Sequence, residues 1–100
     1  MKAVAKTRNP RTIRQHLGLN QQDFWGRVGV TQSGGSRYEA GRSMPRPVRE
    51  LVRLVHVEGI DLAQARREDF EVAGYLRRTN PALYQSLRTA VRNGRARGRR

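Results

Sequence analysis

Apolar positions recur at helical spacing along most of the chain. The clearest case lies in the middle, where four apolar residues at i, i+3, i+4 and i+7 share one side of an amphipathic helix. They are Val48, Leu51, Val52 and Val55. No stretch alternates apolar and polar residues convincingly enough for a half-buried strand, and no internal repeat is present. The pattern therefore predicts an all-α fold.

Shorter helices are predicted around this one from residues that favour helix ends. Gly18 is an expected stop, while Asn20 and Thr31 are good N-caps. Asp61 is the expected cap of a short fifth helix. The helices expected before the middle helix cover 13–18, 20–29 and 31–41. The middle helix is expected to end at residue 59, and the fifth helix is expected over 61–65.

Two further apolar stripes predict helices near the C-terminal end. The first runs over 68–78, Asn80-Pro81 supplies an N-cap and a first-turn proline for the second, and Asn93-Gly94 is its expected stop. The two helices form either a hairpin over the preceding helices or a self-complementary dimer surface. We favour the dimer surface, because a compact five-helix core does not need some 35 further residues to fold.

The charge of the chain is concentrated at its ends. The 100 residues, enough for one small domain, carry 21 Lys or Arg and 8 Asp or Glu, a net charge of +13. Residues 1–14 and 92–100 hold +5 each and no acid, which leaves +3 for the middle. Such surplus cations favour a polyanionic partner, because they displace counterions condensed on phosphates. We expect a flexible basic arm over 1–10 and a disordered basic tail over 93–100.

The remaining composition argues against catalysis and cofactors. The chain has no cysteine, and His16 and His56 lack ligand-like spacing, so no metal or other cofactor is expected. The acids over 68–71 are explained as the charge of a helix N-terminus. No apolar run approaches a membrane span and no targeting leader is evident. We expect a cytoplasmic protein, bacterial or phage and nucleoid-associated, that is not an enzyme and has no membrane partner.

The most informative block is 19–41, LNQQDFWGRVGVTQSGGSRYEAG, in which Gly-Val-Thr separates two predicted helices. Gly29 provides the positive φ that a tight turn between them needs. The block resembles the phage repressor and Cro-type (XRE-like) helix-turn-helix DNA-binding family over about residues 12–62. The resemblance implies a five-helix repressor-like DNA-binding domain over 11–66. The apolar stripes beyond it predict a helical extension over 67–92. The matching residues are Leu19, Asn20, Gln21, Phe24, Val28, Gly29, Val30, Thr31, Gln32, Ser33, Ser36, Arg37, Tyr38, Glu39 and Gly41.

The resemblance also implies roles for individual residues. Base edges would be read from the third helix, and phosphates would be held by the start of the second helix and the loop after the third. Gln suits adenine N6 and N7 and Arg suits guanine N7 and O6, while Ser and Thr serve base or phosphate. The implied base readers are Thr31, Gln32, Ser33, Ser36 and Arg37, and the implied phosphate ligands are Asn20, Gln21, Arg42, Ser43 and Arg46.

Two further pairs of residues concern the scaffold. The resemblance implies a structural ion pair between Arg14 and Glu39, which would also keep the carboxylate from repelling DNA. Trp25 stands where the family usually has alanine, and Gly35 where it usually has isoleucine or valine. We interpret this as an exchange of volume, in which the indole fills the space left at Gly35. The alternative is that Trp25 points outward to a partner.

These observations favour sequence-specific binding of double-stranded DNA by a transcriptional regulator, most plausibly a homodimeric repressor. One alternative is an antitoxin-like regulator whose residues 67–92 bind a partner protein. Another is an RNA-binding or nucleoid-compacting protein that uses mainly its basic arms.

The charge distribution generates a first prediction. Deleting residues 93–100 should weaken binding to preferred and random DNA alike, because phosphate contacts carry no base information. The slope of log K against log salt should become shallower by roughly two to three, as a flexible tail engages only part of its arginines at once. Fluorescence anisotropy titrations at several salt concentrations measure both quantities. An unchanged slope with lost base preference would mean instead that the tail reads a groove.

Overall fold

A computed structural model describes residues 9–98 of the chain, with side chains up to residue 95. The described residues form six α-helices and no strand, so the predicted all-α fold is confirmed. The fourth helix continues directly into a π-helical turn over Arg53–Val57. The helices are α1 (Pro10–Leu17), α2 (Gln21–Gly26), α3 (Gln32–Glu39), α4 (Arg46–Val52), α5 (Arg67–Thr79) and α6 (Pro81–Gly98).

The described chain divides between Gln64 and Ala65 into two compact units. The first unit contains α1 to α4, and the second contains α5 and α6. Within residues 9–98, no helix has the length and apolar character needed to span a bilayer. Residues 1–8 of the expected basic arm lie outside the described residues. Arg99 and Arg100 of the expected tail also lie outside them.

The predicted caps are confirmed. Asn20 Oδ1 accepts a hydrogen bond from the backbone N–H of Asp23 at 2.7 Å, and Thr31 Oγ1 accepts one from that of Gly34 at 3.1 Å. At the second unit, Asn80 Oδ1 accepts from the backbone N–H of Leu83 at 3.2 Å. Each cap satisfies a backbone donor that the first turn of a helix leaves unpaired.

The fifth helix predicted over 61–65 is wrong. Asp61 caps only a single turn, in which its side chain accepts from the N–H of Ala63 and its carbonyl accepts from the N–H of Gln64. The backbone is extended again at Arg66, where φ is −130°. Few residues separate Gly59 from α5, and so short a segment offers too few hydrogen bonds to offset the cost of nucleating a helix.

The expected stop of the last helix at Asn93-Gly94 is also wrong, because α6 continues to Gly98. The tail expected to be disordered from residue 93 is therefore helical up to residue 98. A glycine inside a helix costs only about 1 kcal/mol relative to alanine. The residues after Gly94 are mainly arginine and alanine, which are good helix formers, so they offset this cost.

The core of the first unit is built around two aromatic side chains. Phe24 and Trp25 are fully buried and meet edge to face, with ring centroids 5.1 Å apart. Such pairs stabilise by about 0.5–1.5 kcal/mol beyond their buried area. The remaining buried hydrophobic residues are Ile13, Val28 and Val52. Partly buried residues around them are Leu19, Val30, Tyr38, Met44, Val48, Leu51, Val55 and Val57.

The predicted exchange of volume between Trp25 and Gly35 is confirmed. Gly35 is buried, and a methyl group built on its Cα would overlap the Cδ1 and Cγ atoms of the Trp25 indole. The indole therefore occupies the space that a side chain on α3 would take. This contact brings α3 against α2 closely enough for the ring to lie on backbone.

His56 is a core residue that the sequence did not reveal. It lies in the π-helical turn, is buried, and stacks on the Phe24 ring with centroids 3.9 Å apart. Its Nε2 lies 2.8 Å from the Phe24 carbonyl oxygen, so this nitrogen carries the hydrogen. Burial lowers the pKa of His56, which favours the neutral ring. The Phe24 carbonyl thus bonds to His56 and not to the N–H of Val28, which donates to the Trp25 carbonyl. This change of partner explains why α2 ends at Gly26, earlier than expected.

The second unit is a helical hairpin without a buried interior. No residue between 65 and 95 is buried. Tyr84 of α6 lies beneath the guanidinium groups of Arg77 and Arg88, at 5.0 and 5.8 Å from its ring centroid. The first and second units thus differ in how much of their apolar surface they remove from water.

The contact between Trp25 and Gly35 generates a second prediction. Trp25→Ala should destabilise the first unit by about 3–5 kcal/mol, the usual cost of deleting a buried aromatic side chain. Gly35→Ile alone should also be strongly destabilising, because its Cβ collides with the indole. Combined, the two changes should recover a measurable part of the loss, since each relieves the defect of the other. Urea denaturation followed by circular dichroism measures all three, and strict additivity would contradict a shared space.

Candidate nucleic-acid interface

The turn between α2 and α3 depends on Gly29. Gly29 has a φ of 77°, a left-handed conformation that side chains other than glycine adopt with strain. The N–H of Val30 then donates to the Trp25 carbonyl at 3.0 Å, and the Val30 side chain is half-buried. The predicted role of Gly29 in this turn is confirmed, although the turn itself starts three residues earlier than expected.

The first turns of α3 present a row of polar side chains to solvent. All five residues implied as base readers are exposed, namely Thr31, Gln32, Ser33, Ser36 and Arg37. Thr31 uses its hydroxyl oxygen to cap α3. Within the described part of the chain, the side chains of the other four form no hydrogen bond or ion pair. Their donors and acceptors are therefore available to a ligand.

The opposite side of α3 faces the core through glycine. Gly35 accommodates the Trp25 indole, as described above. A Cβ at Gly34 would lie 3.2 Å from Thr31 Oγ1 and 3.3 Å from Val30 Cγ1, tighter than ordinary van der Waals contact. This crowding gives Gly34 a structural explanation that the sequence did not provide: a side chain there would press on the residue that caps the helix.

The Glu39 carboxylate joins three helices. Its Oε2 accepts from Arg14 Nε at 2.9 Å and from Trp25 Nε1 at 2.8 Å. Its Oε1 accepts from Arg14 Nη2 at 3.0 Å and from Gln21 Nε2 at 3.2 Å. Arg14 Nη1 in addition donates to the Leu19 carbonyl at 3.0 Å. The structure thus brings Arg14 and Glu39 together in a bidentate ion pair between α1 and α3, and two residues of α2 complete the cluster.

The electrostatics of this cluster favour the ionised pair. Only 3% of the Glu39 side chain is exposed, and this burial by itself raises the pKa of the carboxyl. The hydrogen bonds from Arg14, Trp25 and Gln21, together with the charge of Arg14, outweigh it, and the pKa of Glu39 is lower than usual. The hydrogen bond between Arg14 and Glu39 also raises the pKa of Arg14.

Two residues implied as phosphate ligands lie at the start of α2. Asn20 is exposed and uses its side-chain oxygen as the cap of this helix. Gln21 is half-buried, and its side-chain amide is bound to Glu39. The side chain of Gln21 therefore contributes to the scaffold, a role that the sequence reasoning missed.

The other three implied phosphate ligands follow α3. Arg42, Ser43 and Arg46 are all exposed, and Arg46 is the first residue of α4. The backbone N–H of Arg42 donates to the Arg37 carbonyl at 3.0 Å, which ties this loop to the end of the exposed helix. The loop thus adds cationic side chains to the polar row of α3.

One contact of the Glu39 cluster, that with Trp25, could have been found from spacing. Gly35 and Glu39 are four residues apart and lie on the same side of α3. A tryptophan that fills the gap at Gly35 is therefore close enough to donate its N–H to Glu39. Gln21 gives no comparable signal, because its position in the motif is equally consistent with a phosphate contact.

Glu39 generates a third prediction. Because its pKa is lower in the folded than in the unfolded chain, its stabilising effect is complete above the ordinary value of 4.5 and is lost as pH falls through the folded value. At pH 7, Glu39→Gln should lower the free energy of unfolding by about 3 kcal/mol, the low end for breaking a buried pair. In acid the difference from the wild type should shrink. Urea melts from pH 7 down to pH 3 measure it.

Glu50→Gln is a matched control. Glu50 pairs with Arg53 at 3.0 Å, but about half of each side chain is exposed. Such a pair contributes at most about 1 kcal/mol. Equal effects of the two substitutions at pH 7 would contradict the special role of Glu39.

The family comparison agrees with this arrangement. The model of the RsaL-like HTH domain family matches residues 11–55, which span most of α1, all of α2 to α4 and the start of the π-helical turn. No curated protein and no solved structure gives a significant match. The resemblance to a helix-turn-helix DNA-binding family is confirmed, and the XRE-like assignment is close. Residues 11–55 are therefore similar to the RsaL-like helix-turn-helix domain family.

Proposed function

We propose that the chain binds double-stranded DNA sequence-specifically and acts as a transcriptional repressor by occupying its site. The observation that supports this most is the row of exposed polar side chains along α3, four of which have no partner in the described part of the chain. In helix-turn-helix proteins the second helix of the motif enters the major groove. A polar row of this kind matches the donors and acceptors that base edges present there.

Gln32 and Arg37 are the main base readers in this proposal. The side-chain amide of Gln32 can donate to adenine N7 and accept from N6, and the guanidinium of Arg37 can donate to guanine N7 and O6. Thr31, Ser33 and Ser36 add shorter contacts to bases or phosphates. These side chains share one exposed side of α3, whose other side contacts Trp25 through Gly35 and Glu39.

Phosphates are the proposed ligands of Arg42, Ser43 and Arg46 after α3 and of Asn20 before α2. All four are exposed. A contact from Gln21 would come from its backbone N–H, since its side-chain amide is engaged by Glu39. These contacts position α3 on the duplex without carrying sequence information.

We further propose that the protein acts as a homodimer, because operators with two half-sites match two copies related by a twofold axis. A second candidate is that residues 67–92 bind a partner protein. Exposed apolar side chains favour an interaction through this segment, and those between 67 and 92 are Phe70, Val72, Tyr75, Leu83, Leu87 and Val91.

Base reading generates a fourth prediction. Gln32→Ala and Arg37→Ala should each weaken binding to the preferred site by about 1–3 kcal/mol and leave binding to random DNA nearly unchanged. The preferred site is first obtained by selecting bound fragments from random duplex DNA. Fluorescence anisotropy with the selected and the scrambled duplex then measures both affinities.

Arg42→Ala serves as the matched control for a cation without base contacts. It should weaken binding to both duplexes alike and reduce the salt slope by about one. Equal losses on both duplexes for Gln32→Ala and Arg37→Ala would refute their assignment as readers. Failure to select any sequence would favour the alternative of an RNA-binding or nucleoid-compacting protein.

A further inference from the structure

The outer side of α5 carries six residues spaced to form one stripe. They follow one another at intervals of three and one along the helix, which places them on the same side. The stripe lines an open depression formed by α5 alone, and Phe70 and Tyr75 within it are 59% and 62% exposed. The stripe consists of Arg67, Phe70, Glu71, Gly74, Tyr75 and Arg78.

This side of α5 is not the one that α6 uses. The groove between α5 and α6 is lined on the α5 side by Ala73 and Leu76, which are absent from the stripe. The hairpin has no buried residue between 65 and 95. Because short helices gain most of their stability from packing an apolar face, the hairpin has much to gain from covering the stripe.

The charges of the stripe are complementary to those of the same stripe on a second, antiparallel copy of α5. Glu71 lies three residues before Gly74, and Arg78 lies three residues after Tyr75. If two α5 helices run antiparallel and cross between Gly74 and Tyr75, each Glu71 faces Arg78 of the other copy. Neither side chain has an ion-pair partner within the described residues.

The centre of the stripe is suited to a close crossing. Gly74 has no side chain, and a Cβ built there meets only Arg78 Nη1, at 3.5 Å. In an antiparallel pair, the Tyr75 ring of each copy lies over Gly74 of the other. Both rings and both ion pairs are then generated by a single twofold axis, which is how most homodimers are arranged.

We propose that α5 is the interface with a second copy of the chain, in which two α5 helices pack antiparallel through this stripe. The inference rests on the proposed function in one respect, since two half-sites call for two copies. It specifies which surface joins the copies and in which orientation.

The test uses charge reversal in the full chain without DNA. Sedimentation equilibrium should find the wild type as a dimer, while Glu71→Arg and Arg78→Glu should each weaken self-association at least about tenfold, because each places like charges opposite one another. An equimolar mixture of the two variants should restore the dimer. One copy then has two arginines and the other two glutamates at the facing positions.

Gly74→Leu tests the close crossing. The new side chain has room within its own chain, so the helix content seen by circular dichroism should be retained while self-association is weakened at least about tenfold. Gly94→Leu is the matched control, since nothing lies within 4 Å of a Cβ at Gly94, and it should leave the dimer intact.

Three results would overturn the proposal. They are a monomeric wild type, single charge reversals that dimerise as well as the wild type, and a mixture of the two variants that stays monomeric. Binding to a duplex with one half-site is measured separately. Its loss without loss of the dimer would count against the proposed function and not against this interface.

Discussion

The Glu39 carboxylate is the interaction on which the arrangement of the first unit depends. A buried carboxylate is costly unless each oxygen is hydrogen-bonded and the charge is matched. Here four hydrogen bonds and one guanidinium meet this requirement, and they come from α1 and α2 while the carboxylate belongs to α3. Because the cost is offset only when all these donors are in place, the cluster selects one mutual orientation of the three helices.

Trp25 links this polar requirement to the packing of the core. The indole N–H is bound to Glu39, the ring lies on Gly35, and the ring meets that of Phe24 in an edge-to-face contact. A smaller side chain at this position would lose all three contacts, and a larger one at Gly35 would displace the ring. Trp25 and Gly35 therefore depend on each other. The indole fills the space that a side chain at Gly35 would take and also donates a hydrogen bond to the buried carboxylate.

Much of this could be predicted from the sequence where the cause was local. The caps Asn20 and Thr31 bond to backbone within three residues, so the residue type at the right position was sufficient. His56 could not be predicted in the same way, because its ring and Nε2 meet Phe24 across 32 residues and through a π-helical turn. The end of α6 was misplaced because Asn93-Gly94 is a frequent stop, whereas the arginines and alanine after it continue the helix.

The contrast between the two units suggests how the proposed dimer would increase affinity for DNA. The first unit has its own core, and in the proposed function it reads bases with α3 alone, so a single copy would contact only a short stretch of bases. The hairpin has no such core between residues 65 and 95, and its outer stripe is suited to another copy. In the proposed dimer, contact with a second half-site would be intramolecular, and the gain in affinity would depend on effective concentration rather than on new contacts with DNA. Stability of the hairpin and affinity for DNA would then both depend on protein concentration.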